Sequence, residues 1–214
     1  MSHSRYPAHQ KSWYRNRCIA AAALSAPAFA QTPATPAKAP AGAYVVDGPH
    51  ASVTWKGLHN GLAYYAARFN KFDIQLDFNP DDVTKSKVTA TVDLKSVETD
   101  DASKRANGQS AFNGEVAGKF LGADKNPQAI FTSTAITKTG DNTGKMTGNL
   151  AFMGVTKPVT FDITYVGNRS DPRSQKHKVG FQATGTIKRT DFGGGGGPVA
   201  DEIKLEINAE FIQK

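Results

Sequence analysis

The sequence GNLAFMGVTKPVTFDITY occupies residues 148–165, and its pattern predicts two β-strands folded back on each other. Apolar and polar residues alternate on both sides of a central turn, and a period of two places alternate side chains on one face of a sheet. That face carries Leu150, Phe152, Val159, Phe161, Ile163 and Tyr165. The turn is predicted at 154–158, since Gly permits unusual dihedral angles and Pro cannot donate to a strand ladder. Whether the apolar face contacts a packed core or a bound ligand is the functional question for the chain.

The same alternation recurs along the rest of the sequence, with turn signals between the segments. Strands are predicted at 44–47, 52–56 (after a break at Gly48-Pro49), 64–78, 87–94, 129–136, 177–188 and 202–212. About eight antiparallel strands at short spacing are typical of a sandwich or a barrel. Pairing of the first strand with the last would close a barrel and remove exposed edges. The interior of such a barrel is either filled by its own side chains or holds one small ligand.

Residues 100–122 interrupt the strands. Their composition predicts a short helix at 103–112 and another at 115–121. Both are poor helices, because they contain or adjoin glycines that each cost up to about 1 kcal/mol. The segment is therefore predicted to be an irregular helical excursion between strands.

The remaining glycines and the sequence motifs give no indication of a catalysed reaction. Gly185 predicts a bend or bulge in its strand. The five glycines at 193–197 predict a loop, and they match neither a phosphate-binding nor a dinucleotide-binding motif because no suitable helix follows. The sequence shows no nucleophile elbow and no His-Glu-x-x-His motif, so no enzymatic activity and no catalytic residue is predicted.

The first thirty of the 214 residues predict a cleavable secretory signal. Arg15 and Arg17 precede a short apolar run, and Ala-Phe-Ala at 28–30 has the pattern of a signal-peptidase site. The run is shorter than the roughly 20 residues that span a bilayer, so no transmembrane segment is predicted in the mature protein. Residues 31–42 form a Pro/Ala-rich linker that should be extended and mobile. Residues 43–214 remain as one domain, located in the periplasm or secreted.

Charge and cysteine usage change once this signal is removed. The formal net charge is +7, and residues 1–30 contribute four basic and no acidic side chains, which leaves +3. The high charge is therefore no argument for a nucleic-acid partner. The only cysteine, Cys18, also lies in the signal, so the mature chain needs no disulfide and fits an oxidising compartment.

A series of short motifs extends from residue 44 to residue 211. They are Tyr44-x-x-Asp47-x-x-His50 with Val53, His59, Phe69 and Phe72, Ser96-x-x-Thr99, Phe120-Leu121, Pro127-x-x-x-Phe131-x-Ser133, Gly148-x-Leu150-x-x-x-Gly154-Val-Thr-Lys-Pro-Val159, Phe181-x-Ala183 and Arg189-x-Asp-Phe-Gly193. In order and spacing they resemble the YceI-like family of secreted, lipocalin-like polyisoprenoid-binding proteins. The resemblance implies an extended eight-stranded antiparallel barrel around a long apolar tunnel. It further implies a ligand such as an isoprenoid quinone, a polyprenyl phosphate or a similar long-chain amphiphile, and no enzymatic activity.

The candidate ligand-binding residues are mostly aromatic and share the inward face. They are Trp55, His59, Phe72, Ile74, Phe112, Phe120, Phe131, Leu150, Phe152, Phe161, Phe181 and Arg189. Periodicity alone favours a packed core for the apolar members, the default fate of such faces. The family resemblance favours a tunnel wall instead, with the excursion acting as a flap over one end. Arg189 could meet an anionic head group, although the residues alone favour an ordinary ion pair with Asp191.

His50 and His59 lie near Asp47 in the sequence. A metal site needs three or four well-placed ligands, and this set falls short, so no metal site is predicted. The histidines are expected to form hydrogen bonds that hold loops or meet a ligand head group.

The sequence as a whole predicts a protein that sequesters or carries one long-chain amphiphile in the bacterial periplasm without converting it. The ligand classes are a polyisoprenoid, an isoprenoid quinone or a fatty-acid-like lipid, with no other cofactor, and the protein is a monomer or homodimer. Two alternatives remain open: a structural or interaction barrel with a filled core, and an accessory factor in quinone, redox or stress metabolism.

Overall fold

The computed structural model describes residues 38–101 and 110–214, which consist mainly of β-strands. The elements are β1 (Gly42–His59), β2 (Ala63–Phe69), β3 (Phe72–Phe78), β4 (Lys87–Asp93), β5 (Val97–Glu98), helix α1 (Ala111–Glu115), β6 (Gln128–Lys138), β7 (Thr143–Phe152), β8 (Val155–Ser170), β9 (His177–Lys188) and β10 (Val199–Gln213). One π-helical turn, Val116–Phe120, continues α1, and a 3₁₀ turn, Arg189–Phe192, follows β9.

Eight of these strands form a closed antiparallel barrel. Their order is β1-β3-β4-β6-β7-β8-β9-β10, and β10 pairs with β1 to complete the ring. The closing pairs extend from Tyr44 with Gln213 to His59 with Val199. The prediction of an all-β, eight-stranded antiparallel barrel with a helical excursion is confirmed. The additional strands β2 and β5 lie outside the ring, where β2 pairs with β1 and β5 pairs with β2.

Strand β1 is continuous, and the predicted break at Gly48-Pro49 is wrong. Val46 pairs with Phe211 and Ala51 pairs with Ala209, so four residues of β1 bulge out opposite a single residue of β10. Pro49 has no N–H to donate, and the bulge places it where no ladder bond is required. The strand therefore keeps its direction and continues to His59.

The β7–β8 hairpin confirms the alternation of residues 148–165 but corrects its turn. The turn is the two residues Met153 and Gly154, both with positive φ (51° and 81°), and Phe152 pairs with Val155 across it. Positive φ at both positions is the geometry that matches the twist of the flanking strands. Pro158 lies inside β8 rather than in a turn. Pairing with β9 begins only at Phe161, so Pro158 has one strand neighbour and its missing N–H is tolerated.

Gly185 does not form a bulge, and that prediction is wrong. It pairs in register with Phe161, while the bulge lies in β8 between Tyr165 and Gly167. A Cβ atom at Gly185 would lie 2.8 Å from Cδ1 of Phe161 and 3.2 Å from the carbonyl oxygen of Thr160. Glycine is required here by close approach of the neighbouring strand.

The described part of the helical excursion that follows residue 109 lies at one end of the barrel, where Phe120 and Leu121 line its interior. Ser110 caps α1 by accepting a hydrogen bond from the backbone N–H of Asn113. The Asn113 side chain in turn accepts hydrogen bonds from the N–H and hydroxyl of Thr99, which ties the helix to the end of β5. Of the predicted helices, 115–121 corresponds to the π-helical turn, whereas most of 103–112 lies outside the described residues.

The described end of the Pro/Ala-rich segment contacts the barrel. Ala39 is buried, the hydroxyl of Tyr44 donates to the carbonyl oxygen of Pro40 over 2.8 Å, and Lys38 forms an ion pair with Asp81. Residues 1–37, which include the predicted signal and most of the predicted linker, lie outside the described residues.

Gly185 and Gly180 provide a matched pair of substitutions within β9. Gly185→Ala should lower the free energy of unfolding by about 1–3 kcal/mol, because the new methyl group overlaps the Phe161 ring. At Gly180 a Cβ atom would meet Val166 at 3.5 Å, an ordinary contact. Gly180→Ala should therefore change stability by less than about 1 kcal/mol. Urea unfolding measures both, and equal effects would contradict the close-approach explanation.

Candidate functional site

A cavity of about 720 Å³ extends along the inside of the barrel. Ligand pockets in proteins have volumes of roughly 300–1,000 Å³, so this space is large enough for one ligand. Its wall is formed by the inward residues of every barrel strand, and several of these, such as Ala90, Ala183 and Ala209, are small. The inward apolar faces therefore surround a space instead of filling it.

The cavity has two different ends. At one end, hereafter the capped end, the wall includes Phe120 and Leu121 of the excursion and Arg189 of the 3₁₀ turn. At the other end, hereafter the mouth, it includes turn residues such as Asp81, Asp141 and Thr143, which are exposed to solvent. Antiparallel strands place alternate connections at opposite ends of a barrel, which explains why the excursion and the mouth turns are separated by its full height.

Nine of the twelve predicted ligand-binding residues line this cavity. They are Trp55, Ile74, Phe120, Phe131, Leu150, Phe152, Phe161, Phe181 and Arg189. Period-two alternation places the strand members on the inner face, and the end of the π-helical turn places Phe120 beside them.

His59, Phe72 and Phe112 are not part of the cavity wall. His59 is exposed at the end of β1, and Phe72 is half-buried at the start of β3, beyond the part of β3 that pairs with β1. Phe112 is 42% exposed, and its ring makes an edge contact with Tyr65 at 5.8 Å. The excursion thus turns Phe120 inward and leaves Phe112 on the outside.

Sequence reasoning missed two groups of wall residues. The first belongs to the inner faces already identified and includes Leu76, Phe78, Tyr165, Leu205 and Ile207. The alternation that identified Ile74 and Phe161 was sufficient to find them. The second group belongs to the mouth turns, which have no periodicity and therefore no sequence signal.

Aromatic contacts hold the large inward side chains against one another along the wall. Phe131 meets Phe161 edge-on at 5.3 Å, and Phe181 meets both Phe78 at 5.6 Å and Phe211 at 6.1 Å. Edge-to-face pairs of this kind contribute about 0.5–1.5 kcal/mol beyond the burial of their area.

Arg189 is the charged residue of the capped end, and it is 7% exposed. Its Cζ lies 4.0 Å from the centre of the Phe120 ring, and Nη1 donates to the carbonyl oxygens of Gly196 (3.3 Å) and Val199 (3.4 Å). Burial lowers the pKa of Arg189, and the charge of Asp201 partly opposes this shift. The expected ion pair with Asp191 is not formed within the described part of the chain, so that alternative is wrong.

Asp47, His50, Lys178 and Glu210 form a hydrogen-bonded cluster at the β1 bulge. Lys178 Nζ donates to Asp47 Oδ2 over 2.7 Å and lies 3.5 Å from Glu210 Oε2, while His50 Nδ1 lies 3.0 Å from Asp47 Oδ2. The hydrogen bond from Lys178 is the main reason why the pKa of Asp47 is lowered. His59, at the far end of β1, is not part of this cluster.

The cluster contains atoms that are able to ligate a metal ion, but a lysine already balances the negative charge of its carboxylates. Ligand atoms of Asp47, His50 and Glu210 lie within 4.8 Å of one another. The ammonium group of Lys178 bonds both carboxylates, so it already supplies the positive charge that a metal ion would bring. The arrangement favours an ion-pair network that fixes the bulge.

The barrel and its apolar cavity define the class of lipocalin-like barrels, in which the interior offers space for a ligand. The chain belongs to the YceI-like family, whose model, a YceI-like domain, matches residues 44–211. The protein YceI of Salmonella agona is 36% identical over 190 residues, covering 87% of this chain and 95% of the relative. A UPF0312 protein of Pectobacterium atrosepticum is 36% identical over 170 residues, covering 78% of this chain and 84% of the relative.

Solved structures share the architecture. Burkholderia cenocepacia BcnA has a TM-score of 0.66 at 27% identity and covers 77% of this chain and 98% of its own. The Campylobacter jejuni YceI protein has a TM-score of 0.63 at 27% identity, covering 72% and 87%. A polyisoprenoid binding domain from Saccharophagus degradans has a TM-score of 0.57, covering 80% and 98%, and its 12% identity shows the fold alone.

No helix within residues 38–101 and 110–214 combines the length and the hydropathy that crossing a bilayer demands.

The ion-pair network predicts a pH-dependent contribution to stability. Asp47→Asn should lower the free energy of unfolding at neutral pH by about 1–3 kcal/mol, because the charged hydrogen bond to Lys178 is lost. The pKa of Asp47 is below its ordinary value of 3.8 in the folded state, so the unfolded chain binds the proton first as pH falls. The stabilisation is therefore complete above the ordinary, unfolded-state pKa of 3.8, and it disappears as pH falls through the lower folded-state pKa.

Asp162→Asn is the control for this prediction, since Asp162 pairs with Lys145 on the exposed outer face. It should change stability by at most about 1 kcal/mol. Denaturant unfolding at neutral and acidic pH measures both variants. A difference between Asp47→Asn and the wild type that is independent of pH would contradict the assigned ion pair.

Proposed function

We propose that this protein binds one long-chain amphiphile inside its barrel and sequesters or carries it in the periplasm without chemical conversion. The observation that carries the proposal is the continuous apolar cavity between the capped end and the mouth. Most of its wall is hydrocarbon or aromatic surface, and its polar groups are concentrated at the two ends. A molecule with a long apolar chain and a polar terminus matches this distribution.

The hydrophobic effect supplies the binding energy for such a ligand. Each buried methylene group contributes about 0.8 kcal/mol, so a chain of about ten methylenes gains roughly 8 kcal/mol before the costs of association. A rigid, preformed cavity lowers those costs. The same burial keeps the chain away from water, which is the physical requirement for carrying a lipid across an aqueous compartment.

Family membership supports this proposal, and the cavity speaks against a barrel with a filled core. Polyisoprenoids, isoprenoid quinones and fatty-acid-like lipids are the ligand classes whose long apolar chain matches this apolar and aromatic wall. The Saccharophagus degradans domain is a polyisoprenoid binding domain, which agrees with these classes, and it shares only its fold with this chain.

Filling part of the cavity should weaken ligand binding. Ala183 lines the cavity in the middle of β9, whereas the adjacent Thr184 is exposed on the outer face. Ala183→Phe should weaken binding of an isoprenoid quinone at least tenfold, because its ring occupies the space of the chain. Thr184→Phe places the same ring in solvent and should bind as the wild type does.

Two measurements check this prediction: fluorescence titration with the quinone, and mass spectrometry of lipids extracted after native purification. Equal binding by Ala183→Phe and Thr184→Phe would show that the quinone does not use the cavity. A wild-type protein with neither a co-purifying amphiphile nor saturable quinone binding would contradict the proposed function.

The periplasmic part of the proposal rests on the signal-like pattern of residues 1–30. Cell fractionation and intact-mass measurement should find a periplasmic protein that begins at Gln31. A cytoplasmic protein that retains residues 1–30 would refute this location.

A further inference from the structure

Arg189 is a buried cation whose positive charge is poorly compensated by the protein. Nη1 bonds two backbone carbonyls at 3.3 and 3.4 Å, distances beyond the usual range for such bonds. Within the described part of the chain, both side-chain hydrogen bonds of Arg189 are made by this one nitrogen. The acidic side chain of Asp201 instead accepts two hydrogen bonds from Thr190, at its backbone N–H and its hydroxyl.

A buried charge without a close opposite charge is costly, and proteins retain such groups mainly where a ligand or a function uses them. Arg189 is also part of the cavity wall, so a group inside the cavity can reach its guanidinium. The carbonyls of Gly196 and Val199 account for one nitrogen only. A purely structural role in holding that loop leaves the remaining donors unexplained.

Trp55 gives an independent indication at the same end of the cavity. It is 3% exposed and lines the cavity, and its indole Nε1 has no hydrogen-bond partner among the described residues. Its ring stacks on Phe120 at 5.2 Å, and Phe120 in turn contacts the guanidinium of Arg189. Two buried side chains with N–H donors, Arg189 and Trp55, therefore contact one aromatic ring at the capped end.

The mouth contrasts with this arrangement. Its charged groups are exposed, and Lys38 and Asp81 neutralise each other in an ion pair. Exposed pairs of this kind are worth little because water screens them. An anionic group bound at the mouth would keep its hydration, whereas one bound at the capped end would gain a charge-assisted hydrogen bond away from water.

We propose that the amphiphile binds head first, with a carboxylate or phosphate at Arg189 in the capped end and its apolar chain directed towards the mouth. This inference rests on the proposed function, since it assumes that the cavity holds an amphiphile. Carboxylate and phosphate share the required chemistry, which is a pair of anionic oxygens that accept from the planar guanidinium fork.

The test compares ligands that differ only in the head group. Hexadecanoate and hexadecyl phosphate are the anionic probes, and hexadecan-1-ol is the neutral probe of equal chain length. The wild-type full chain should bind both anions more tightly than the alcohol. Arg189→Met should weaken anion binding roughly tenfold to a hundredfold and leave alcohol binding within about twofold, since only a charge-assisted bond is lost.

Lys188→Met is the matched control, because Lys188 is the preceding residue and is exposed. It should bind all three probes as the wild type does. Loss of anion and alcohol binding together in Arg189→Met would assign Arg189 a structural role and overturn the inference, as would unchanged anion binding. If the wild type binds none of the probes, the proposed function itself fails. The relative loss for the two anions identifies the preferred head group.

A second measurement needs no substitution at Arg189. The sequence contains two tryptophans, and Trp13 lies in the predicted signal, so Trp13→Phe in the full chain leaves Trp55 as the sole indole, located at the capped end. Bromine quenches an indole only at short range. Hexadecanoate brominated beside the carboxylate should quench Trp55 strongly, whereas the acid brominated at the far end of the chain should not. The reverse order would show that the tail occupies the capped end and would overturn the proposal.

Discussion

The pairing of β1 with β10 is the constraint on which the rest of the structure depends. It joins the two ends of the domain along a ladder that extends from Tyr44 and Gln213 to His59 and Val199. Each barrel strand has one apolar face, and an open sheet would have to bury that face by collapsing onto another layer. Closure turns the same faces towards a common axis, and the strand number then leaves a space at the centre.

That space persists because of where the large and small side chains lie. Aromatic residues such as Phe131, Phe161 and Phe181 contact one another around the wall, and alanines occupy positions between them. Edge-on contacts stabilise these rings against one another within the wall. The rings therefore find packing partners without extending across the axis of the barrel. At the capped end, Phe120 of the excursion contacts both the guanidinium of Arg189 and the buried indole of Trp55.

Local alternation predicts most of the strands and most of the cavity wall, because period two is a property of the chain itself. It does not distinguish a packed core from a cavity, since both present the same inward face. The bulge at Gly48-Pro49, the strand position of Pro158 and the close approach at Gly185 depend on which strand lies alongside, and no local signal reports that. The partner of Asp47, Lys178, is likewise 131 residues away in sequence. The sequence also could not predict that Phe120 faces the cavity and Phe112 does not, because the orientation of an irregular helix is set by its contacts with the rest of the fold.

The strands β2 and β5 lie outside the closed ring, and they give the sheet an outer edge. β5 consists of only the two residues Val97 and Glu98, followed by Thr99 and the polar start of the excursion. β5 pairs only with Arg68 and Phe69 of β2, so a neighbouring molecule could form only one or two ladder bonds along β5 itself, where Glu98 adds charge. Short, charged edges of this kind prevent strands of separate molecules from adding to one another. The outermost strand of the sheet thus offers a second molecule little backbone with which to pair.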